Sequence, residues 1–155
     1  MLALGDSYTN AGFPALVAAV TNSDVTNAGV SSSRIVRDKP GDADARSFIS
    51  RLDDYTNEYD VVLVFGGIND ASDIASNELQ LGDMSSPLDT TTFYGGMRLF
   101  VEKLVAKMNS TSSQLIGMIP PGITNKPELE QVQEAERTIY DFYGIPYIDL
   151  AHDCY

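Results

Sequence analysis

The sequence has little of what many functional classes require. It contains one cysteine, Cys154, and one histidine, His152, so an internal disulfide and a cysteine-based metal site are excluded, and no metal site is predicted. Basic residues are scarce as well: 10 Lys and Arg stand against 22 Asp and Glu, which gives a formal net charge of −12. No cluster of Lys and Arg offers a phosphate-binding surface, so the sequence argues against nucleic acid and anionic membranes as partners.

Long apolar runs are also missing. No run approaches the roughly 20 residues of a membrane span, and the N-terminus lacks the basic start and apolar middle of a signal peptide. We therefore expect neither feature, and the compartment stays open between a cytoplasmic protein and a module of a larger secreted or virion protein. The length of 155 residues, 43% of them apolar, predicts a single domain over 1–155.

Apolar segments and helix-forming segments alternate along the chain. Strands are predicted near 2–4, 25–28, 61–65, 115–119 and 146–148. Helical periodicity separates them over 13–20, from Asp42 or Asp44 to about 55, from Thr90 to 108 and from Pro127 to Gly144. The excursion 66–89 is long and polar, which is typical of a functional loop or of a small element of its own. Strict alternation predicts an α/β fold with a parallel sheet and helices on both of its faces.

Polar clusters follow four of the predicted strands. They are Gly5-Asp6-Ser7, Gly29, Gly67-Ile68-Asn69-Asp70 and Asp149-Leu150-Ala151-His152. Because ligands of parallel sheets bind beyond the carboxyl ends of the strands, the predicted fold gathers these clusters on one edge.

Together the clusters contain the groups that acyl transfer from an ester requires. Ser7 can act as the nucleophile and His152 as the base that activates it, with Asp149 receiving the other imidazole N–H. The Ser7 N–H, the Gly29 N–H and the Asn69 side-chain amide can converge as donors to an oxyanion. The sequence therefore predicts Ser7, His152 and Asp149 as catalytic residues and Ser7, Gly29 and Asn69 as an oxyanion hole.

Each cluster taken alone also has an ordinary structural interpretation. Gly29 can simply serve a turn, and a single histidine near a terminus is usually a surface residue. The Asp6 carboxylate is expected to bond the N–H groups of its own turn. Arg34 and Arg37 are expected to be solvated, since exposed loop charges usually have no role in a site.

The four clusters, in this order, resemble the conserved blocks of the SGNH, or GDSL-type, hydrolases over essentially the whole chain. The resemblance implies a three-layer α/β/α sandwich with a five-stranded parallel sheet, of the flavodoxin-like type. It also implies Ser7 as nucleophile, Gly29 and Asn69 in the oxyanion hole, His152 as base and Asp149 as its partner. The family hydrolyses esters without a metal or other cofactor, so no cofactor is expected.

The leading hypothesis is a serine esterase that removes a small acyl group, such as acetyl on a carbohydrate, through an acyl-Ser7 intermediate. The expected partner is a small-molecule or carbohydrate ester; substrate-binding residues and oligomeric state are not predicted. The alternative is a non-catalytic carbohydrate-binding or structural module that retains the scaffold. Compared with the family, both ends look clipped, as in a domain cut from a longer chain. We therefore expect a mobile His152 whose contact with Ser7 is long or absent.

Overall fold

One parallel sheet forms the centre of the computed structural model, which describes residues 1–55, 59–108, 113–123 and 126–152. Its strands are β1 (Leu2–Gly5), β2 (Thr26–Gly29), β3 (Val61–Phe65), β4 (Gln114–Ile119) and β5 (Tyr147–Asp149). The five strands lie in the order β2-β1-β3-β4-β5, and every neighbouring pair is parallel. Cys154 lies outside the described residues.

Helices cover the sheet on both faces. They are α1 (Ser7–Asn10), α2 (Phe13–Thr21), α3 (Phe48–Arg51), α4 (Ile68–Ala75), α5 (Phe93–Lys107) and α6 (Pro127–Tyr143). The chain moves one way across the sheet from β1 to β2 and the opposite way from β2 to β3 and onward. Right-handed crossovers then place α2 on one face and α3, α5 and α6 on the other. The predicted α/β/α architecture with five parallel strands is confirmed.

The second helix begins later than the sequence predicts. The predicted start at Asp42 or Asp44 is wrong, because Asp42 Oδ1 accepts the Asp44 N–H within a turn. The helix begins at Phe48, after Ser47, whose hydroxyl accepts the Ser50 N–H at 3.1 Å as an N-terminal cap. The predicted start of the next long helix at Thr90 also moves, since Thr92 caps α5.

The main core lies between the sheet and the three helices α3, α5 and α6. Its largest side chains are fully buried and include Phe48, Phe93, Phe100, Ile139 and Tyr140. The rings of Phe48 and Phe100 meet edge to face with centroids 5.9 Å apart, which joins α3 to α5. This packing fixes the helices that follow β2 and β3 against the sheet.

Helix α2 makes a weaker contact with the body of the protein. Its periodic apolar residues do not form a buried face, since Leu16 is 70% and Val20 is 87% exposed, and Pro14 is its buried residue. The helix covers the edge strand β2, which is four residues long and offers little apolar surface. Within the described part of the chain, no helix has the length and apolar composition needed to cross a membrane.

A buried carboxyl group lies inside the core on α6. Glu136 is 1% exposed, and its Oε2 has no hydrogen-bond partner in the described part of the structure. A Cβ atom at Gly67 would lie 2.9 Å from Glu136 Oε1, so α6 and the start of α4 are in close contact here. Burial raises the pKa of Glu136 well above its usual value. The folded protein therefore keeps a proton that the unfolded chain releases in mildly acidic solution.

The proton on buried Glu136 makes the stability of the fold depend on pH. A raised pKa in the folded state gives stability that is present below the unfolded pKa and is lost as the pH rises through the folded pKa. Glu136→Gln cannot ionise, so it should lose less stability between about pH 5 and about pH 8 than the wild type. The difference in unfolding free energy between the variant and the wild type should therefore shift in favour of the variant as the pH rises.

Urea unfolding at several pH values measures this difference. The matched control is Glu134→Gln on the same helix, because the Glu134 side chain is 71% exposed and should not alter the pH dependence. Parallel stability curves for wild type and Glu136→Gln would show that Glu136 is charged when buried.

Candidate active site

Ser7 lies at the turn from β1 into α1. The turn is tight because Gly5 has no side chain: a Cβ there would lie 1.9 Å from Thr9 Oγ1 and 2.8 Å from the Phe65 carbonyl oxygen. Helix α1 therefore starts immediately at the end of the strand, with half-buried Ser7 as its first residue. A first helical residue has no intrahelical partner for its N–H, so the Ser7 N–H remains available to a ligand.

Asp6 caps this helix. Its Oδ1 accepts the Tyr8 N–H at 2.9 Å, which confirms the structural interpretation made from the sequence. The residue is 1% exposed, and burial raises the pKa of Asp6 to about 6. Thus the group next to Ser7 titrates in the same pH range as an ordinary histidine.

Gly29 ends β2 and has a packing role that the sequence does not reveal. A Cβ at this position would lie 2.1 Å from the Asn10 backbone nitrogen, so only glycine lets α1 approach the end of β2. The Gly29 N–H donates to Asn27 Oδ1 at 2.9 Å. The predicted oxyanion donor therefore already has a partner in this structure, and that partner belongs to an exposed side chain.

Asn69 lies in the first turn of α4. Gly67 precedes it with a φ of +94°, a left-handed conformation that a side chain would strain. The Asn69 Nδ2 donates to the Ser33 carbonyl oxygen at 2.9 Å, and the residue is half-buried. An amide nitrogen carries two N–H groups, so one remains for another acceptor.

The loop 30–47 is held against α4 by a buried carboxylate. Asp70 is fully buried and accepts the Ile35 N–H at 2.9 Å and the Val36 N–H at 3.1 Å. Burial nevertheless raises the pKa of Asp70 to about 6, because desolvation outweighs the two hydrogen bonds. The Asp70 side chain thus fixes the loop that Asn69 also contacts.

The expectation that Arg34 and Arg37 are solvated is wrong. Asp73 on α4 receives Arg34 Nη2 at 2.8 Å and Arg37 Nε at 3.0 Å, and Arg37 also pairs with Glu78 at 2.6 Å. Burial would raise the pKa of Asp73, but the hydrogen bonds from both arginines outweigh it and lower the pKa. The arginines attach the loop 30–47 to α4.

A buried arginine joins the ends of the first two strands. Arg51 is 3% exposed and donates to the Ala28 carbonyl oxygen at 2.8 Å and the Gly5 carbonyl oxygen at 3.1 Å. The nitrogen that binds Gly5, Nη2, also donates to Ser33 Oγ at 2.9 Å. The guanidinium carbon lies 5.2 Å from the centre of the Phe48 ring. The sequence does contain a signal for this role that we missed: Arg51 is a charged residue in a short apolar helix, three positions after Phe48.

Asp149 and His152 form a direct pair at the end of β5. Their Oδ2 and Nδ1 atoms lie 3.0 Å apart, and the His152 N–H donates to the Asp149 carbonyl oxygen at 3.2 Å. The aspartate side chain is 11% exposed, whereas the imidazole is 69% exposed. The short turn after the strand therefore presents the imidazole toward solvent.

Arg137 on α6 is a further partner of this carboxylate that the sequence did not indicate. Its Nε lies 2.7 Å from Asp149 Oδ2 and its Nη2 lies 3.2 Å from Oδ1. These hydrogen bonds from Arg137 are the main reason that the pKa of Asp149 is lowered. A helix residue twelve positions before the strand end gives no local signal of this contact.

The sheet register places the predicted residues on one edge. Gly5 pairs with both Gly29 and Phe65, and Ile119 pairs with Asp149, so the strands end nearly level. However, no hydrogen bond joins the Ser7 hydroxyl to the His152 imidazole in the described ranges, a state that the sequence led us to expect. Over the same ranges, no three His, Cys, Asp or Glu side chains are placed to hold a metal ion.

Solved structures share this architecture. One crystal structure is 26% identical, with a TM-score of 0.79 over 97% of this chain and 76% of its own. A protein from Lactobacillus plantarum is 24% identical, with a TM-score of 0.75 over 98% of this chain and 76% of its own. An acetyl xylan esterase, AlAXEase, is 19% identical, with a TM-score of 0.68 over 98% of this chain and 77% of its own. The last two likenesses show the fold alone.

Sequence comparison identifies the family. No curated protein sequence matches this chain. A family model described as the GDSL-like Lipase/Acylhydrolase family matches residues 3–155, which include all four polar clusters. Since the match covers nearly the whole sequence, this chain belongs to the GDSL-like lipase/acylhydrolase family.

Proposed function

We propose that the protein is a serine esterase that hydrolyses a small acyl ester, such as acetyl on a carbohydrate, through an acyl-Ser7 intermediate. The observation that carries this proposal is the Asp149–His152 pair, 3.0 Å apart, on the same sheet edge as the half-buried Ser7 hydroxyl. With Nδ1–H donated to Asp149, the other imidazole nitrogen, Nε2, is the free base.

In the proposed reaction, Ser7 Oγ attacks the ester carbonyl carbon while His152 Nε2 takes the hydroxyl proton. The resulting tetrahedral oxyanion collapses, the bond to the alcohol oxygen breaks, and the imidazolium returns its proton to the leaving alcohol. Water then attacks the acyl-Ser7 ester with the same imidazole as base. This second step releases the carboxylic acid and restores the Ser7 hydroxyl.

For this chemistry the exposed imidazole must turn toward Ser7. Its 69% exposure leaves room for that rotation, and the contact to Asp149 supplies a fixed point for it. Catalytic hydrogen bonds are often long in unliganded sites and shorten when substrate binds, so the open Ser7–His152 contact is compatible with activity.

Three N–H groups are proposed to stabilise the oxyanion. The Ser7 N–H, at the start of α1, has no intrahelical partner. Asn69 keeps one N–H in addition to the one it donates to Ser33. The Gly29 N–H can join them by exchanging Asn27 Oδ1 for the substrate oxygen, an exchange that the exposure of Asn27 allows.

Charge and surface composition support a neutral, polar substrate. The net charge of −12 disfavours polyanionic esters. The segment 76–91 between α4 and α5 is mostly exposed and rich in Ser, Asp and Thr, unlike the apolar cover expected of a lipase. The name of the structural neighbour AlAXEase, an acetyl xylan esterase, describes an enzyme of the proposed kind on the same fold.

Two observations favour the second candidate, a non-catalytic binding or structural module. The Ser7 hydroxyl is not bonded to His152 in the described ranges, and the Gly29 N–H already has a protein acceptor. A module of this kind would fold normally but would not turn over an activated acetyl ester.

Substitution of the nucleophile tests the proposal. Ser7→Ala should lower the turnover of 4-nitrophenyl acetate by at least about 10³-fold, because the acyl-enzyme can no longer form. Ser32→Ala is the matched control, since Ser32 lies in the neighbouring loop and should keep most of the activity. Circular dichroism should be the same for both variants, and turnover by Ser7→Ala within a few-fold of wild type would contradict the assignment of Ser7.

Substitution of the oxyanion donor tests the role of Asn69. Asn69→Ala should lower kcat by about 10²–10³ with little change in KM, which is the cost of losing one donor that acts in the transition state. Because Asn69 also binds the Ser33 carbonyl oxygen, part of the loss could come from the loop 30–47. Asp73→Asn weakens the ion pairs that hold the same loop but keeps the Asn69 side chain. The activity of this variant therefore measures how much of the loss comes from the loop. An effect of Asn69→Ala on KM alone would make Asn69 a substrate-positioning residue.

A further inference from the structure

The Asp149 carboxylate receives four donors from three residues. Its Oδ2 lies 2.7 Å from Arg137 Nε and 3.0 Å from His152 Nδ1. Its Oδ1 accepts the Ala151 N–H at 3.1 Å and lies 3.2 Å from Arg137 Nη2. Arginine and histidine therefore share one oxygen, and the carboxylate cannot rotate without breaking a contact.

The position of Arg137 makes the Arg137–Asp149 ion pair rigid. Its side chain is 16% exposed and that of Asp149 is 11% exposed, so water screens the pair much less than a surface ion pair. The planar guanidinium meets the carboxylate through two parallel donors, a geometry that fixes orientation as well as distance. Helix α6, whose inner face is buried from Leu129 to Tyr140, supplies the fixed support.

The guanidinium also changes the charge that His152 meets. A bare carboxylate stabilises an imidazolium next to it, and a cation on the same carboxylate offsets part of that effect. With Arg137 in place, the carboxylate therefore offers an imidazolium less stabilisation than Asp149 alone would.

We propose that Arg137 is a positioning residue of this site, which holds the Asp149 carboxylate for His152 and limits the stabilisation of the imidazolium. The catalytic consequence rests on the proposed function, whereas the effect on the imidazole does not. Other groups face the pair from the elements around it. On α6 these are Glu134, which contacts Arg137 at 3.3 Å, and the buried Glu136, and on β5 the group is Tyr147.

The imidazole can be observed directly because His152 is the one histidine of the chain. Its ring signal in an NMR pH titration needs no assignment. In Arg137→Gln the midpoint of this titration should move to higher pH by about 0.5–1 unit, since a cation near the carboxylate is lost. In Arg137→Lys it should move up by less, because the ammonium keeps the charge but not the two-donor geometry.

Glu134→Gln is the matched control. It removes the exposed partner of Arg137 but leaves the contacts to Asp149, so the midpoint should stay near the wild-type value. An unchanged or lower midpoint in folded Arg137→Gln would overturn the proposal. If Arg137→Gln does not fold, an unchanged or lower midpoint in Arg137→Lys would overturn the proposal instead.

Kinetics test the catalytic part. In Arg137→Gln the acidic limb of kcat/KM should move in the same direction as the NMR midpoint, while kcat on the plateau falls about tenfold because the base is held less well. Asp6 and Asp70 also titrate near pH 6, so the agreement of the two midpoints assigns the limb to His152. An inactive wild type would contradict the proposed function and leave the NMR test intact. An active wild type whose His152 titration midpoint does not change in Arg137→Gln would contradict only the role of Arg137.

Discussion

The close approach of α1 to the end of the sheet determines where Ser7 lies, and the rest of the site is arranged around that residue. Two glycines permit it: a Cβ at Gly5 would overlap the side chain of Thr9, and a Cβ at Gly29 would overlap the backbone of Asn10. Any larger residue at either position would push α1, and Ser7 with it, away from β1 and β2. The constraint is steric: at Gly29 it acts on the backbone of Asn10, and at Gly5 it acts on the Thr9 side chain and on the Phe65 carbonyl oxygen.

Buried polar groups then fix the elements around that turn. Arg51 binds the carbonyl oxygens of Gly5, the last residue of β1, and of Ala28, one residue before the end of β2. Asp70 holds the loop 30–47 through two backbone N–H groups. On the other side of the site, Arg137 holds Asp149. The three groups act on different elements but have a similar effect: Arg51 and Arg137 each join a helix to a strand end, and Asp70 joins α4 to the loop that Asn69 contacts.

Sequence reasoning placed the residues at strand ends because strand pattern and motif position are local properties. Ser7, Asn69 and Asp149 needed only a correct strand count to be assigned to one edge of the sheet. The partners of Arg51 and Arg137 lie across the fold, so they depend on how α3 and α6 pack, which a single sequence does not specify. The helix start at Phe48 was missed for a related reason, because two aspartates offered equally plausible caps and the actual cap was Ser47.

The central claim is that Ser7 is an activated nucleophile, and covalent labelling tests it most directly. The protein should be treated with a serine-directed fluorophosphonate and analysed by intact mass and by fragmentation of the labelled peptide. The account predicts a single adduct that maps to Ser7 and forms faster as the pH rises through the imidazole titration. No adduct on folded protein, or an adduct on another serine, would contradict it.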